Sequence, residues 1–378
     1  MRSFRDPRSR VQASKCLGSG RLDRMVTCAR WATGIDQDNG VEKMTKNAMP
    51  PSMKLPKAVG LLGGGVIGGA WAARFLLSGV NVKLYDPAPG AADAVLKMVN
   101  DARRAYKKLG MSLPAREGTM TLVDTVEEAV RDVDLVQESI PERLDLKHKL
   151  LQKATRAAVP DLLICSSTSG FMPSELQDGV AHPERVIVAH PFNPVYLLPL
   201  VELCGGPRAP VSALQRAAEF FRAIGMHTLI MRKEIGGFIA NRIQEAIWRE
   251  CLWLVKDDIA TPEECDDAIS YSFGLRLAIK GPFHSGGGGE ALRKGLESWP
   301  PELRGLWTNF PAPEHDQAFV DKLAALQDAR TDKSTSVELL AKRDECLVGI
   351  LQTLRAADFG AGRSYTLWEE ALRAQAAK

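Results

Sequence analysis

Short apolar runs alternate with amphipathic stretches through the first two thirds of the chain. Residues 57–62 (KAVGLL) form an apolar run that ends at a glycine cluster, residues 65–79 carry apolar side chains at helical spacing, and residues 80–86 (VNVKLYD) are rich in β-branched and aromatic residues. These three patterns predict a strand, a helix and a second strand. Similar apolar runs predict further strands at residues 121–124, 134–139, 162–167, 185–190 and 198–204. Because helical stretches separate most of these strands, we predict an α/β fold of the Rossmann type, with a doubly wound parallel sheet and helices on both faces.

The pattern becomes purely helical after Lys233. Residues 237–258 predict one long amphipathic helix, and no strand-like run follows it. Residues 261–264 (TPEE) predict the start of the next helix, since Thr can cap it, Pro suits its first turn and Glu completes a capping box. Residues 335–338 repeat the Thr-x-x-Glu spacing. The pattern therefore predicts an all-helical C-terminal domain.

The chain divides into three predicted segments. They are a disordered N-terminal extension over residues 1–54, an α/β domain over 55–235 and a helical domain over 236–378. The extension lacks hydrophobic periodicity, and residues 1–34 hold eight Lys and Arg against two Asp. It has none of the apolar core that a secretory signal needs. A start at a later methionine and an organelle-targeting peptide stay open as alternatives for this segment.

The charge and the cysteine content of the chain argue against several classes of protein. The net charge of +3 comes from the basic first 34 residues, so the rest of the chain is slightly acidic, which argues against nucleic-acid binding. No apolar run approaches the roughly 18 residues that a membrane helix needs. The seven cysteines include no C-x-x-C pair, and the six histidines show no metal-ligand spacing. We therefore predict a cytoplasmic protein with free thiols and without a metal site or a membrane segment.

A glycine-rich motif follows the first predicted strand and opens the first predicted helix. Its G-x-G-x-x-G glycines are Gly63, Gly65 and Gly68, with Val66 and Ile67 between the last two. In a dinucleotide-binding motif the first glycine allows a tight turn, the second lets the backbone approach a pyrophosphate, and the third lets helix and strand pack closely. The N-terminus of the helix then faces the phosphate charge. We predict that these five residues bind a dinucleotide.

An acidic residue at the end of the second strand indicates which dinucleotide is bound. Asp86 follows Gly68 by 18 residues, at the position where a carboxylate accepts hydrogen bonds from the adenosine ribose. A 2′-phosphate would meet this negative charge, and the next residues provide no cation. The sequence therefore predicts NAD rather than NADP.

Three polar segments lie at the ends of predicted strands. They are residues 166–170 (SSTSG), residues 190–194 (HPFNP) and Glu202. In doubly wound sheets, ligands bind at the carboxyl ends of the strands. A single histidine at such a position is more often a structural residue than a catalytic one, so the position of His190 alone does not assign it a catalytic role.

Several longer motifs give the chain a family resemblance. They are GGGVIGGAW (63–71), QESIPERLDLK (137–147), SSTSG (166–170), AHPFNPVYLLPLVE (189–202), KEIGGFIANR (233–242) and NFPAPE (309–314). Residues 56 to about 357, which carry these motifs, resemble the 3-hydroxyacyl-CoA dehydrogenase superfamily. Within it they are most similar to the L-carnitine dehydrogenases, with L-gulonate 3-dehydrogenase (lambda-crystallin) a nearby relative.

The resemblance implies a set of catalytic residues. His190 matches the general base of the superfamily, and Glu202 matches the glutamate paired with it. Ser169 and Asn241 match residues that hydrogen-bond the substrate oxygen. A neutral imidazole can take the proton of an alcohol near neutral pH, and a carboxylate stabilises the imidazolium that forms.

The resemblance also implies contacts with the cofactor and an oligomeric state. Glu142 and Lys147 match residues that contact the nicotinamide half of NAD. Superfamily members usually dimerise through the helical domain, so a homodimer is expected, with a small molecule as substrate.

The resemblance favours L-carnitine as the substrate, oxidised to 3-dehydrocarnitine. L-Gulonate, another short 3-hydroxy acid or a short 3-hydroxyacyl-CoA are alternatives, and a catalytically idle NAD-binding relative is an alternative of another class. A lysine-dependent β-hydroxyacid dehydrogenase is a third type, and the His–Glu pair argues against it.

The trimethylammonium group of carnitine would favour an aromatic wall in the substrate pocket. Candidate aromatic residues are Phe192, Tyr196, Trp248, Trp253, Tyr271 and Phe283. Arg276 is a candidate for the substrate carboxylate. Leu277 and Ile279 stand where the L-carnitine dehydrogenases carry aromatic residues, and the stretch after Phe283 is shortened, so the pocket wall is expected to differ there.

Overall fold

A computed structural model of the protein describes residues 55–278, 316–318, 321 and 336–376. The predicted extension over residues 1–54, Phe283, Ile279 and the segment that follows Phe283 lie outside the described residues, as does the side chain of Arg276.

The described residues contain eight strands in one sheet. They are β1 (Ala58–Leu62), β2 (Asn81–Tyr85), β3 (Met120–Leu122), β4 (Leu135–Glu138), β5 (Leu163–Ser166), β6 (Val186–Pro191), β7 (Leu200–Cys204) and β8 (His227–Ile230). The order across the sheet is β3-β2-β1-β4-β5-β6-β7-β8. Neighbouring strands pair in parallel except β6 and β7, which are antiparallel. The predicted Rossmann-type sheet is confirmed.

Helices follow most of the strands, and the described residues after β8 contain helices without strands. In the α/β part they are α1 (Val66–Leu76), α2 (Ala91–Lys108), α3 (Val126–Ala129), α4 (Leu144–Ala157), α5 (Pro173–Gln177) and α6 (Val211–Ala223). In the C-terminal part they are α7 (Ala240–Lys256), α8 (Pro262–Ser270), α9 (Phe273–Leu277), α10 (Ser336–Ala356) and α11 (Gly360–Ala376). The capping box that starts α8 is present, with the Thr261 hydroxyl accepting from the Glu264 N–H. The described C-terminal residues are helical, as predicted.

Two features of the sheet differ from the sequence prediction. Strand β8 was missed, because its sequence HTLI is short and partly polar and it lies at the sheet edge. Strand β7 runs antiparallel to β6, which corrects the expectation of an all-parallel sheet. Residues 192–199 are all that join these two strands. A parallel return needs a crossover of a dozen or more residues, so this short connection forces a hairpin-like pair.

The core lies on both faces of the central strands. Strands β4, β5 and β6 are buried along their whole length, as parallel strands covered on two sides must be. Alternate side chains of β1 enter different clusters: Leu61 packs with helices α1, α2 and α6, and Leu62 packs with α3 and α4. The layers are therefore helix, sheet and helix.

A buried arginine joins the terminal helix α11 to the α/β part. Arg74 on α1 is fully buried, and its guanidinium donates to the carbonyl oxygens of Ile224 at 2.8 Å and Gly225 at 2.6 Å. Its Cζ lies 4.0 Å from the ring centroid of Trp368 on α11, within cation–π distance. These two hydrogen bonds go to backbone carbonyls, so this one side chain satisfies buried acceptors that would otherwise have lost their water.

Replacing Arg74 should therefore destabilise the whole fold. We expect Arg74→Met to lower the free energy of unfolding by about 2–5 kcal/mol, because it leaves two buried carbonyls without donors. The melting temperature should fall by roughly 5–15 °C. The matched control is Arg104→Met, whose side chain is 71% exposed in a surface pair with Asp101 and should change little. Equal melting temperatures for the two variants would contradict this account of Arg74.

Candidate active site

The three glycines of the G-x-G-x-x-G motif occupy three different environments. Gly63 has φ of 98°, in the left-handed region that favours glycine, at the turn after β1. A Cβ on Gly68 would lie 1.9 Å from the carbonyl oxygen of Gly63, so this position must lack a side chain for α1 to pack on the turn. A Cβ on Gly65 would meet nothing within 4 Å. The space beside Gly65 is therefore open to a ligand.

Helix α1 begins beside that open space. It starts at Val66, which is 60% exposed, and its N-cap Gly65 supplies no side-chain hydrogen bond. Ile67 is partly buried against the core. The first N–H groups of a helix carry partial positive charge, so this end of α1 suits a phosphate. The fit of a pyrophosphate to the motif rests on these observations.

Asp86 lies at the end of β2 and contacts the glycine turn. Its carboxylate accepts from the backbone N–H of Gly64 at 2.6 Å and of Ala88 at 2.8 Å. Each carboxylate oxygen has a second lone pair available for another donor. The contact with the adenosine ribose stays a prediction, and Asp86 lies at the expected end of β2.

A buried ion pair lies at the end of the neighbouring strand β4. Lys147 Nζ is 2.8 Å from Glu138 Oε1, and their side chains are 1% and 0% exposed. The Ser166 hydroxyl donates to the second oxygen of Glu138 at 2.5 Å. Sequence reasoning missed Glu138, although a glutamate inside the apolar run LVQE was a signal, because burying an unpaired carboxylate costs several kcal/mol. Glu138 anchors Lys147 beneath the strand ends.

Glu142 connects this ion pair to the loop after β5. Its Oε1 accepts the backbone N–H groups of Ser169 at 3.0 Å and Gly170 at 2.9 Å, as well as the Thr168 hydroxyl. Its Oε2 is 3.4 Å from Lys147 Nζ. Partial burial raises the pKa of Glu142, but these hydrogen bonds and the lysine charge lower it by more, so its pKa lies below the usual range. Glu142 is therefore ionised at neutral pH and fixes the loop.

Glu142 and Lys147, the two predicted contacts with the nicotinamide half of NAD, differ in their access to a ligand. The Glu142 side chain is 40% exposed, whereas that of Lys147 is 1% exposed. Lys147 also donates to the carbonyl oxygen of Ile140 at 3.3 Å. Its influence on a bound nicotinamide would pass through Glu142, and the direct contact stays a prediction.

His190 and Glu202 form a buried pair across the antiparallel strands. They are direct partners in the register of β6 and β7, and His190 Nδ1 is 2.8 Å from Glu202 Oε2. His190 is 4% exposed and Glu202 is 0% exposed. When Nδ1 carries the proton and donates it to the carboxylate, Nε2 is left as the acceptor. The pair therefore presents a ring nitrogen that can take a proton.

The second oxygen of Glu202 holds the start of helix α7. Oε1 accepts the backbone N–H groups of Ile239 and Ala240, each at 3.0 Å. A negative charge at this end of a helix is favourable because it meets the positive end of the helix dipole. This contact places the first turn of α7 beside His190.

Ser169 and Asn241 contact each other. Asn241 lies in the first turn of α7, and its Nδ2 is 3.4 Å from the carbonyl oxygen of Ser169. Ser169 is exposed, so its hydroxyl is open to a ligand. The structure thus brings Ser169 and Asn241 together, and it independently pairs His190 with Glu202.

The predicted aromatic wall is only partly assembled by the described residues. Phe192 lies beside His190 with ring centroids 5.0 Å apart, and Phe238, which the sequence analysis missed, packs at 5.2 Å. Tyr196 is 6% exposed, and its hydroxyl donates to Asp344 at 2.6 Å, so its side chain is part of the protein interior. Trp253 lies under Lys256, and Tyr271 is 82% exposed. Among the predicted residues Phe192, Tyr196, Trp253 and Tyr271, Phe192 is the one whose ring lies against that of His190.

Comparison with known proteins places this geometry in a family. The model of the 3-hydroxyacyl-CoA dehydrogenase NAD binding domain matches residues 58–235, and that of the 3-hydroxyacyl-CoA dehydrogenase C-terminal domain matches residues 237–293. The chain is 44% identical to the L-carnitine dehydrogenase of Oceanobacillus iheyensis (strain DSM 14371 / CIP 107618 / JCM 11309 / KCTC 3954 / HTE831) over 298 residues, which are 78% of this chain and 97% of that protein. The chain belongs to the 3-hydroxyacyl-CoA dehydrogenase family.

Other members of the family match over similar lengths. An L-carnitine dehydrogenase/betainyl-CoA thioesterase of Rhizobium meliloti (strain 1021) is 47% identical over 306 residues, which are 80% of this chain but 62% of that protein. The chain therefore spans less than two thirds of that relative. Among solved structures, an NAD+-dependent 5-formyl-3-hydroxy-2-methylpyridine 4-carboxylic acid 5-dehydrogenase aligns with a TM-score of 0.68 and 26% identity, over 79% of this chain and 98% of that one.

The family match supplies the identity of the dinucleotide. The matched N-terminal model is an NAD-binding domain, and it covers the glycine turn, Asp86 and the site at the strand ends. NAD is therefore the cofactor of this domain.

Among the described residues, no helix has the length and apolarity to cross a membrane, and no group of three or more His, Cys, Asp or Glu could hold a metal ion.

The glycine turn offers a paired test of how NAD is held. We expect Gly65→Ala to fold with a melting temperature close to that of the parent, since its Cβ meets nothing, but to bind NAD more weakly because the methyl group fills the approach of the pyrophosphate. Gly68→Ala should instead lower the melting temperature, because its Cβ would collide with the Gly63 carbonyl. Thermal unfolding and calorimetric NAD titration measure both effects. Unchanged NAD affinity in Gly65→Ala would show that the pyrophosphate lies elsewhere.

Proposed function

We propose that this chain is an NAD-dependent dehydrogenase that oxidises the 3-hydroxyl group of L-carnitine to give 3-dehydrocarnitine. The observation that carries the reaction is the buried His190–Glu202 pair, tied through Glu202 to the first turn of α7 and therefore to Asn241. The choice of substrate rests on relatives named L-carnitine dehydrogenase, which are 44–47% identical over about four fifths of this chain.

In this reaction the side chains of the site handle the proton of the substrate. His190 Nε2 accepts the proton of the 3-hydroxyl group, and the imidazolium that forms keeps its Nδ1–H bond to Glu202. Glu202 stabilises that positive charge and fixes the tautomer, so the ring enters each cycle with Nε2 unprotonated. When bound, NAD accepts the hydride from the carbon that bears the hydroxyl group.

Ser169 and Asn241 orient the substrate oxygen. The serine hydroxyl and the asparagine amide are donors, and donors aimed at the oxygen stabilise the negative charge that develops as its proton leaves. Glu142 holds the Ser169 loop through two backbone N–H groups, and Glu202 holds the helix that carries Asn241. The two donors are therefore fixed to the same framework as the base.

A complete catalytic set argues against the idle, purely structural alternative. A protein that only binds NAD has no use for a buried imidazole paired with a carboxylate, because burying these groups has a desolvation cost. The chain keeps His190, Glu202, Ser169 and Asn241 in positions that suit alcohol oxidation.

We further propose that the enzyme acts as a homodimer in the cytoplasm. Apolar side chains on the described helical segment are unusually open, with Ile243 55%, Ile259 69% and Leu275 65% exposed, which a second copy would cover. The five cysteines among the described residues are unpaired, as expected in a reducing compartment.

A substrate panel tests the proposed function directly. We expect L-carnitine to give a higher kcat/KM than L-gulonate, 3-hydroxybutyrate and 3-hydroxybutyryl-CoA, with NADH formation followed at mildly alkaline pH. NAD should be preferred over NADP, because the Asp86 carboxylate repels a 2′-phosphate. A higher kcat/KM for any of the other three would refute the carnitine assignment and leave the dehydrogenase assignment intact. Cofactor binding without turnover of any substrate would instead favour an idle relative.

A further inference from the structure

One face of helix α7 starts inside the active site and leads away from it. In an α-helix, residues separated by four and seven positions lie on the same side. Asn241, Glu245 and Trp248 therefore share a face, which Leu252 and Val255 continue toward the far end of the helix. This face connects the substrate oxygen site with the interior of the helical segment.

The two ends of this face are covered, and its middle is open. At one end Asn241 contacts Ser169, and at the other end Leu252 and Val255 are 4% and 3% exposed. Between them Glu245 is exposed and Trp248 is 57% exposed. A large indole left open between two covered turns marks a surface that another molecule covers.

The carboxylate in this gap is not used by the described part of the protein. Within the described residues Glu245 forms no ion pair or hydrogen bond, although Arg242 and Arg249 lie one turn to either side. The Arg242 guanidinium donates to the carbonyl oxygen of Gly236 at 3.3 Å instead. The negative charge of Glu245 is thus available to a ligand.

A carboxylate next to an indole suits a quaternary ammonium ion. Such a cation has no N–H group, so a protein attracts it through charge and through the faces of aromatic rings. Helical side chains lean toward the N-terminus of their helix, which directs Glu245 and Trp248 toward the turn of Asn241. Their Cα atoms lie about 6 Å and 10 Å along the helix from that of Asn241.

We infer that Glu245 and Trp248 form the subsite for the trimethylammonium group of the substrate. This inference rests on the proposed function, in which Asn241 and His190 hold the 3-hydroxyl group. In L-carnitine a single methylene group separates the hydroxyl-bearing carbon from the ammonium nitrogen. The cation must therefore lie within about one helical turn of Asn241, which is the position of Glu245, while Trp248 closes the subsite one turn farther on.

The test compares L-carnitine with 3-hydroxy-5,5-dimethylhexanoate, an isostere in which a carbon atom replaces the ammonium nitrogen, so that the cationic headgroup becomes an uncharged tert-butyl group. We expect Glu245→Gln to raise KM for L-carnitine about tenfold while leaving kcat and the KM for the isostere largely unchanged. The matched control is Glu250→Gln, an exposed glutamate on the opposite face of α7, which should leave both substrates unaffected. Trp248→Ala should weaken the binding of L-carnitine, and Trp248→Phe should retain most of the parent enzyme's affinity for it.

Binding of choline, measured by calorimetry without NAD, gives a readout independent of turnover. We expect Glu245→Gln to weaken choline binding, whereas Glu250→Gln leaves it unchanged. Equal KM changes for L-carnitine and the isostere, or unchanged choline binding in Glu245→Gln, would overturn the subsite while carnitine oxidation by the parent enzyme still supports the proposed function. If Trp248→Ala changes the oligomeric state but not choline binding, the indole belongs to an interface and its part in the subsite is refuted. Failure of the parent enzyme to oxidise L-carnitine would refute the proposed function itself.

Discussion

The carboxylate of Glu202 makes the contacts on which the candidate active site depends. One of its oxygens binds His190 across the β6–β7 pair, and the other accepts two backbone N–H groups at the start of α7. A fully buried carboxylate is tolerated only when its lone pairs are satisfied, and here a ring nitrogen and a helix N-terminus satisfy them together. The same group thus orients His190, the proposed base, and fixes the helix that carries Asn241, so the α/β part and the helical part share one anchor at the proposed site.

Two further sets of contacts hold the surroundings of this anchor. The buried Glu138–Lys147 pair positions Glu142, which fixes the loop that carries Ser169. On the other side, Tyr365 of α11 donates to the carbonyl oxygens of Tyr196 and Leu197, in the connection between the strands of His190 and Glu202. Burial raises the pKa of Tyr365 well above its usual range, so the hydroxyl keeps its proton and stays a donor. Helix α11 therefore supports the hairpin that holds His190 and Glu202.

Much of this arrangement follows from local sequence patterns. The glycine turn, the first seven strands and the helical character of the described C-terminal residues could be predicted, because each rests on periodicity or on a backbone requirement within a few residues. The roles proposed for His190, Glu202, Ser169 and Asn241 rest on family resemblance, since position at a strand end does not separate a catalytic histidine from a structural one.

Other features depend on contacts between distant parts of the chain. The local pattern around Arg74 predicts only a helix, and its burial depends on the approach of α11 and of the turn at Gly225. The structural role of Glu138 depends on its ion pair with Lys147, which lies on a different element. Tyr196 was expected in the substrate wall, but its bond to Asp344, 148 positions away, could not be foreseen from spacing.

A double-mutant cycle on His190 and Glu202 tests most directly whether the carboxylate acts through the histidine. His190→Gln should lower kcat by about 10²- to 10⁴-fold, the usual effect of losing a general base. Glu202→Gln keeps an oxygen for the N–H groups of α7, so its fold should persist while kcat falls. The account predicts that the double variant loses little more than His190→Gln alone, with melting temperatures showing that all variants are folded. Losses that multiply, or a His190→Gln variant with near-parental kcat, would contradict it.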